Sequence, residues 1–302
     1  MKTGTEATER GFASSYSDPA ASKPDAFTLV ARKKKKNRNG KGAMKVLTPE
    51  QKLEKSRAEL HSDTNWLDAV SRIVHGATAT LATAAIQSIL CLGLGSPSES
   101  AQARFQLSFL LELRDKILPN PVGIIAFDPV FSPEDKLLLT SLGIQIFPDN
   151  REGKHELEGA TLAFMPHCDR ALYENLLRAN WRPEAIADLL LIGNDLRGYV
   201  DSIPSRVLGK ESPCISRLAL LLASTPLPEH RAFPDAFSST AVQHVDTASL
   251  NLTYTTTELS ASSSTDSEVD SRSSVLGRMG FWNDAETSEE DAIGYCGERT
   301  RV

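Results

Sequence analysis

Apolar residues in the central part of the chain alternate between two patterns. Short aliphatic runs such as "SILCLGLG", "VGIIAFDP", "IQIFP", "ATLAFMPHC" and "DLLLIGND" are separated by stretches whose apolar positions recur every three or four residues. The runs predict buried strands, and the stretches between them predict helices. Because such alternation is typical of a parallel sheet covered on both faces, we expect an α/β fold with a doubly wound, Rossmann-like parallel sheet.

The predicted helices have their own sequence signals. Thr48, Pro49 and Gln51 fit a capping box with proline in the first turn, so a helix begins there. A second helix is expected over residues 65–76, and the Ala-rich run "ATATLATAAIQ" indicates a third. After the first strand, one apolar stripe predicts a helix lying on the sheet, with Arg104 and Gln106 off the stripe in solvent. The stripe consists of Ala101, Phe105, Phe109, Leu113 and Ile117, with Leu110 beside it.

The two ends of the chain differ in composition from the central region. Residues 1–45 carry eleven Lys or Arg against four acids, whereas residues 258–302 carry four against ten and are rich in Ser and Thr. Such segments bury too little apolar surface to fold. We therefore expect a disordered basic N-terminal segment (1–45), a single domain (46–257) and a disordered acidic tail (258–302).

Charge, cysteine content and hydropathy narrow the possible partners. The basic run "ARKKKKNRNGKG" fits a solvated tail or a nuclear localisation signal, and nucleic-acid binding is disfavoured because the central region is mildly acidic. Four widely spaced cysteines make no zinc-binding pattern, so no metal site is predicted. No stretch reaches the roughly 18 apolar residues that cross a membrane. We expect free thiols, no membrane partner, and a location in cytoplasm and nucleus.

The first strand ends in "LGLGSPS", which has two interpretations. Gly93, Gly95 and Ser98 occupy the three positions of the GxGxxG fingerprint, so the third glycine is missing. Asp128 ends the second strand about 35 residues after Gly93, whereas the fingerprint places its acid about 20 residues on. The run is either a phosphate cradle at a helix N-terminus or a tight turn in which Ser96 caps the next helix.

Polar residues also follow the other predicted strands. Asp128 ends the second strand, His167 and Cys168 the fourth, and Asn194 the fifth. Ligands of open α/β sheets bind outside the carboxyl ends of the strands, where the strand order reverses. A strand order of 3-2-1-4-5 would place the glycine turn opposite His167. The predicted ligand-binding residues are Gly93, Gly95, Ser96, Asp128, His167 and Asn194; the ligand and any cofactor are unknown.

Each of these residues also has a structural explanation. Neighbouring residues on a strand point to opposite faces, which disfavours a catalytic pair of His167 and Cys168. Asp169 is the expected N-cap of the following helix. Asn194 satisfies the backbone at the end of its strand in this interpretation. Both the ligand site and the purely structural role therefore stay open.

Several of these stretches resemble the sensitivity-to-red-light-reduced (SRR-like domain) family. The resemblance covers about residues 86–247 and rests on "CLGLGS", "ARFQLSFLLEL", "PHCDRALYENLLRANW", "LLLIGNDLRGY" and "FPDAF". The helix carrying "YxNLLxxNW" is the most specific part, and the chain departs from the family pattern after "FPDAF". Matching motif positions outside the predicted site are Arg104, Gln106, Pro129, Tyr173, Asn175, Asn180, Trp181, Gly193 and Phe237.

The resemblance implies regulation more than chemistry. Members are associated with light signalling and circadian clock input in plants and with regulatory roles, including heme metabolism, in other eukaryotes. No catalytic residue carries over, so the resemblance favours a regulatory protein with protein partners over an enzyme. The alternative is a nucleotide- or S-adenosylmethionine-dependent sensor or enzyme that uses the strand-end crevice, with a small-molecule ligand.

Deleting residues 31–42 should lower the nuclear fraction of the protein without affecting the fold, because this run has the composition of a nuclear localisation signal. The measurement is the nuclear-to-cytoplasmic ratio of a fluorescent fusion. Deletion of residues 259–270, a segment of equal length in the acidic tail, is the control. An unchanged ratio would remove the nuclear targeting hypothesis.

Overall fold

The computed structural model describes residues 47–83 and 85–245, and the predicted segments 1–45 and 258–302 lie outside these residues. The described strands form one sheet. They are β1 (Ser88–Leu92), β2 (Gly123–Phe127), β3 (Ile144–Ile146), β4 (Thr161–Met165), β5 (Leu189–Asn194), β6 (Leu222–Pro226) and β7 (Thr240–Val245). The α-helices are α1 (Pro49–Ser62), α2 (Thr64–Thr78), α3 (Ala101–Glu112), α4 (Pro133–Ser141), α5 (Arg170–Ala179), α6 (Pro183–Ala187), α7 (Leu196–Ser202), α8 (Ser205–Glu211) and α9 (Pro213–Leu218). A π-helical turn follows α3 over Leu113–Ile117, and a 3-10 helix spans Pro234–Phe237.

The strands are arranged in the order β3-β2-β1-β4-β5-β7-β6. The first five are parallel and have the predicted order, so the doubly wound α/β prediction is confirmed. The sheet is mixed rather than purely parallel, because β7 pairs antiparallel with β5 and β6 antiparallel with β7. The order reverses between β1 and β4, which makes their carboxyl ends the topological switch point.

Helices cover both faces of the sheet. The first layer contains α1 to α4, and its core includes Phe105, Phe109 and Leu139. The second contains α5 to α9, and its core includes Leu177 and Ile215. Apolar residues of β1 alternate between the two cores, as the period of a strand requires.

The prediction that α3 has a single apolar face is wrong. Its predicted stripe is buried from Phe105 onward, but Leu107 and Leu111 on other faces are also fully buried, and Ala101 is exposed. Because α1 packs on α3, the helix lies between the sheet and a second helix. Gln106 is accordingly buried instead of solvated, and its Nε2 donates to the carbonyl of Ala236 at 2.8 Å.

The Ala-rich segment before β1 is not the predicted third helix. The second helix ends at Thr78, and residues 79–83 and 85–87 are turns and irregular chain. Thr83 anchors this segment, because its N–H and hydroxyl both donate to the Asp188 carboxylate at 2.6 Å. The capping box predicted at Thr48 is confirmed, and Gly143, two residues after α4, has a φ of 75°.

Two histidines are buried with unsatisfied ring nitrogens. His155 is 3 % exposed, packs on Phe147, and has no hydrogen-bond partner for either ring nitrogen among the described residues. His230 is 1 % exposed, packs on Trp66 and Phe105, and its Nε2 lacks a partner there as well. Burial lowers the pKa of both histidines. The folded state therefore favours two neutral imidazoles.

The free energy of unfolding should fall as the pH is lowered from 7.5 to 5.5. A histidine with a lowered pKa in the folded state takes up its proton first in the unfolded chain. The stability that the folded state gains from this neutral histidine is therefore fully present above the ordinary pKa near 6.5 and is lost as the pH falls below it. Each proton taken up on unfolding adds a slope of about 1.4 kcal/mol per pH unit.

Urea unfolding of the wild type and of His155→Phe at several pH values measures this effect. The variant should have a smaller slope between pH 5.5 and 7.5, because His230 alone of the pair remains. Above pH 7.5 the two proteins should depend on pH equally. The same slope in both proteins below pH 7 would contradict the assignment of His155.

Candidate functional site

The predicted ligand-binding residues lie at the carboxyl edge of the parallel strands. Gly93, Gly95 and Ser96 follow β1, and Asp128 follows β2. His167 follows β4, and Asn194 is the last residue of β5. The structure thus brings the strand ends together as predicted, and hydrogen bonds divide the residues into two groups.

The first group joins the glycine turn to the end of β2. The carboxylate of Asp128 accepts the Gly95 N–H at 2.8 Å through Oδ2 and the Val130 N–H at 2.9 Å through Oδ1. Gly95 has a φ of 76°, in the left-handed region that favours glycine. Asp128 therefore occupies the backbone donor that a bound phosphate would use.

The predicted capping role of Ser96 is wrong. The third helix begins at Ala101, and its N-cap is Ser100, whose side chain accepts the Ala103 N–H at 3.2 Å. Residues 97–99 form a turn, which is closed by the Ser100 N–H donating to the Ser96 carbonyl at 2.8 Å. The loop after β1 is therefore one turn longer than predicted.

Asp135 is a residue of this loop environment that sequence analysis missed. Its carboxylate is fully buried and accepts the Ser98 N–H at 2.7 Å and the Ser132 N–H at 2.9 Å. Burial alone would raise the pKa of Asp135, but hydrogen bonds from Ser98, Ser96 and Ser132 together lower it. The capping box in "SPED" indicates a carboxylate at the start of α4, but not that it also holds Ser98.

The second group is centred on the turn after β4. His167 lies in this turn with a φ of 57°, so its placement on a strand is corrected. Its N–H donates to Asn194 Oδ1 at 2.9 Å, and its Nε2 lies 3.1 Å from the carbonyl oxygen of Ala236. Because a carbonyl can only accept, Nε2 carries the proton in this contact. The ring of His167 is fixed, although the residue is exposed.

Tyr173 connects the ends of β4 and β5 from the second helical layer. Its hydroxyl donates to the carbonyl of Met165 and accepts the Asn194 N–H at 2.8 Å. A Cβ atom on Gly193 would lie 2.7 Å from this hydroxyl oxygen, so the strand needs glycine there. Burial raises the pKa of Tyr173. The residue is a neutral brace between two strands.

Cys168 links the two groups sterically. A Cβ atom on Gly93 would lie 2.4 Å from its Sγ, and the thiol lies 3.3 Å from the carbonyl oxygen of Leu92. Burial, with Asp128 adding to it, raises the pKa of Cys168 to about 12. The thiolate that nucleophilic catalysis needs is therefore disfavoured at neutral pH.

The remaining motif residues form mostly internal contacts. Asn180 is fully buried and bonds to the backbone of residues 155, 157 and 176. Asn175 donates to the carbonyl of Glu152 at 2.8 Å near the surface, and Trp181 packs against the second core. Arg104 donates to two carbonyls of the loop after β1. The hydrogen bonds of Asn175, Asn180 and Arg104 thus fix loops to the neighbouring helices.

A cavity of about 150 Å³ lies beside Gly93. Its lining residues are Leu92, Gly93, Phe127, Pro129, Asn150, Glu152, Gly153 and Leu172. Small-molecule sites usually have a volume of roughly 300–1,000 Å³. The cavity therefore fits a small, largely apolar group better than a dinucleotide, and His167 and Asn194 lie outside its lining.

Within residues 47–83 and 85–245, no group of three or more His, Cys, Asp or Glu side chains is arranged to hold a metal ion. Over the same residues, no helix has the length and apolar character to cross a membrane. The cysteines at 91, 168 and 214 are buried free thiols, in agreement with the predicted thiol state at these three positions.

Comparison with known proteins identifies the family. The model of the SRR1 domain matches residues 50–244, which run from α1 to β7. The chain belongs to the SRR1 domain family. The predicted resemblance is thereby confirmed, and the matched region extends N-terminally to include α1 and α2.

Named relatives come from animals and plants. The chain is 37 % identical over 131 residues to the SRR1-like protein of Mus musculus, covering 43 % of this chain and 53 % of the relative. It is 36 % identical over 111 residues to Protein SENSITIVITY TO RED LIGHT REDUCED 1 of Arabidopsis thaliana, covering 37 % and 40 %. The SRR1-like protein of Drosophila melanogaster is 35 % identical over 109 residues, covering 36 % and 39 %. The aligned part thus spans about half or less of each of these relatives.

Replacing Tyr173 with Phe in this SRR1 domain should lower the free energy of unfolding by about 1–3 kcal/mol, since it leaves the buried carbonyl of Met165 and the part-buried N–H of Asn194 without this partner. Tyr199→Phe is the matched control, because among the described residues its hydroxyl has one hydrogen bond, from Asn194 Nδ2 at 3.0 Å, and the residue is half-buried. Urea unfolding measures both variants. Equal losses would contradict the bracing role of Tyr173.

Proposed function

We propose that this chain is a regulatory protein of the SRR1 family that acts through protein partners in the cytoplasm and nucleus. Family membership supports a role of the same kind as that of its relatives. The name of the Arabidopsis relative refers to a red-light response. The processes that the family resemblance implies, and that we propose for this chain, are light or circadian clock signalling, or heme-related regulation.

The observation that carries the proposal is that two backbone N–H groups of the glycine turn are already bonded to carboxylates of the same chain. Gly95 donates its N–H to Asp128, and Ser98 donates its N–H to the buried Asp135. A phosphate in this turn would have to displace two carboxylates of the same chain and would be repelled by both. The turn therefore functions as a structural support in this proposal.

The chemistry of the neighbouring side chains also favours a non-catalytic role. Cys168 is held as a thiol, and His167 directs its Nε2 to a backbone carbonyl instead of a nucleophile. Catalytic pairs need a nucleophile within hydrogen-bond reach of its base. The side chain of Asn194 is likewise bonded to three residues of its own chain, which are His167, Cys168 and Tyr199.

A second candidate is a nucleotide- or S-adenosylmethionine-dependent sensor or enzyme. The observation that favours it is the cavity beside Gly93, at the switch point where open α/β sheets bind ligands. The exposed ring of His167 lies at the same edge of the sheet. A rearrangement of the loop after β1 would be needed to free its backbone donors.

In a thermal-shift screen of the full chain against nucleotides, dinucleotides, S-adenosylmethionine and heme, no shift of the unfolding midpoint should depend on His167. A ligand at 100 times its Kd would add about 2.7 kcal/mol, which moves the midpoint visibly. Calorimetry would check any hit. A hit lost in His167→Ala would overturn the regulatory proposal in favour of the sensor.

His75→Ala is the control for this experiment. The Nε2 of His75, in the last turn of α2, lies 2.7 Å from the carbonyl oxygen of Ile117, so its replacement also removes one carbonyl contact but none of the contacts of the predicted site. A ligand shift lost equally in both variants would indicate a general loss of stability instead of a site at His167. The thermal unfolding midpoints of both variants without ligand are measured in parallel.

A further inference from the structure

We propose that a groove beside α1 binds a phosphate monoester, a site separate from the strand-end cavity. The groove has a volume of about 440 Å³ and lies between α1, the first turns of α3 and the segment before the 3-10 helix. Its lining residues are Leu47, Lys52, Lys55, Ser56, Glu59, Ala101, Arg104, Ala232 and Phe233. Three of the nine are cations and one is an acid.

Two of the cations converge on a single backbone oxygen. Lys52 Nζ lies 3.0 Å from the carbonyl oxygen of Ser98, and Arg104 Nη1 lies 3.3 Å from the same atom. Arg104 Nη1 also donates to the carbonyl of Pro97 at 2.9 Å, which restricts the position of the guanidinium. Two like charges so close together repel each other, and an anion placed between them removes that repulsion.

These cations have no carboxylate of their own. Among the described residues, no Asp or Glu oxygen lies within 4 Å of the charged nitrogens of Lys52, Lys55 or Arg104. Arg104 and Lys52 are half-buried, and burial lowers the pKa of Arg104. A partly dehydrated cation is less screened by water and salt, so its attraction for an anion is stronger than that of a surface lysine.

The helix geometry adds to the positive potential. Ala101, the first residue of the twelve-residue α3, lines the groove, so the positive end of the helix dipole lies at its wall. Glu59 is exposed and opposes this potential from α1. Removing its charge should therefore tighten the binding of an anion.

The charge and shape of the groove select the ligand class. Three cations and a helix N-terminus match the double charge of a phosphate monoester better than the single charge of a carboxylate, and the arginine fork suits phosphate oxygens. Leu47, Ala232 and Phe233 provide an apolar wall for the group that carries the phosphate. The carrier is either a phosphorylated peptide or a small phosphate ester.

The test uses the full chain and three probes. They are a peptide of residues 261–271 phosphorylated at Ser267, the same peptide without phosphate, and phenyl phosphate. The sequence places Ser267 before Glu268 in the Ser- and acid-rich segment, which makes this peptide a reasonable phosphoserine source. Calorimetry should detect binding of at least one phosphate-bearing probe, at least tenfold tighter than the unphosphorylated peptide and weaker at higher salt.

Four variants locate the site. Arg104→Gln and Lys55→Glu should each weaken phosphate binding about tenfold or more, whereas Glu59→Gln should tighten it several-fold. Lys136→Glu, the same charge change at an exposed position on α4, should have no effect. Arg104→Gln also removes two loop contacts, but Lys55 has no side-chain hydrogen bond among the described residues, so Lys55→Glu tests the groove without disturbing the loop.

The outcomes separate the two sources of phosphate from failure of the proposal. Tight binding of the phosphorylated peptide that phenyl phosphate cannot displace would support a peptide ligand. Binding of phenyl phosphate with the same sensitivity to Lys55→Glu would support a small phosphate ester. No binding of either phosphate-bearing probe, or binding unchanged in Lys55→Glu, would overturn the proposal and leave Lys52 and Arg104 as supports of the loop.

Discussion

The conformation of the loop between β1 and α3 depends on hydrogen-bond partners for its backbone N–H and carbonyl groups. Buried N–H and carbonyl groups are costly when unpaired, and this loop turns sharply between a central strand and a buried helix. Carboxylates of two other elements take its N–H groups, and side-chain cations take its carbonyls. The partners are Asp128 for Gly95, Asp135 for Ser98, Lys52 for Ser98, and Arg104 for Pro97 and Ser98.

This arrangement explains why a glycine-rich turn at the switch point is not an open phosphate cradle. The acid that follows β2 accepts a hydrogen bond from the turn itself, so it is not free to bind a ligand there. The carbonyl groups of the same loop, in contrast, are bonded by the cations Lys52 and Arg104, which line the groove beside α1. One loop thus accounts for the occupied donors at the strand ends and for the converging cations of the groove.

The family motif has a similar explanation on the other side of the sheet. Tyr173 requires Gly193 opposite it and bonds both neighbouring strand ends, and Asn180 saturates three backbone groups without contact with solvent. Side chains with such fixed partners specify how helices meet strand ends. The motif therefore describes the architecture of the SRR1 domain, and its presence does not by itself define a reaction.

The sequence by itself determined the features that arise from neighbouring residues. Apolar periodicity predicted the five parallel strands and the helices between them, and the capping box at Thr48 placed the start of α1, because these depend on contacts within four residues. The tertiary structure decided the rest. Gln106 donates to the carbonyl of Ala236, 130 residues away, and Thr83 donates to Asp188, 105 residues away. Such contacts, like the pairing of β6 with β7, form between segments that no local pattern connects.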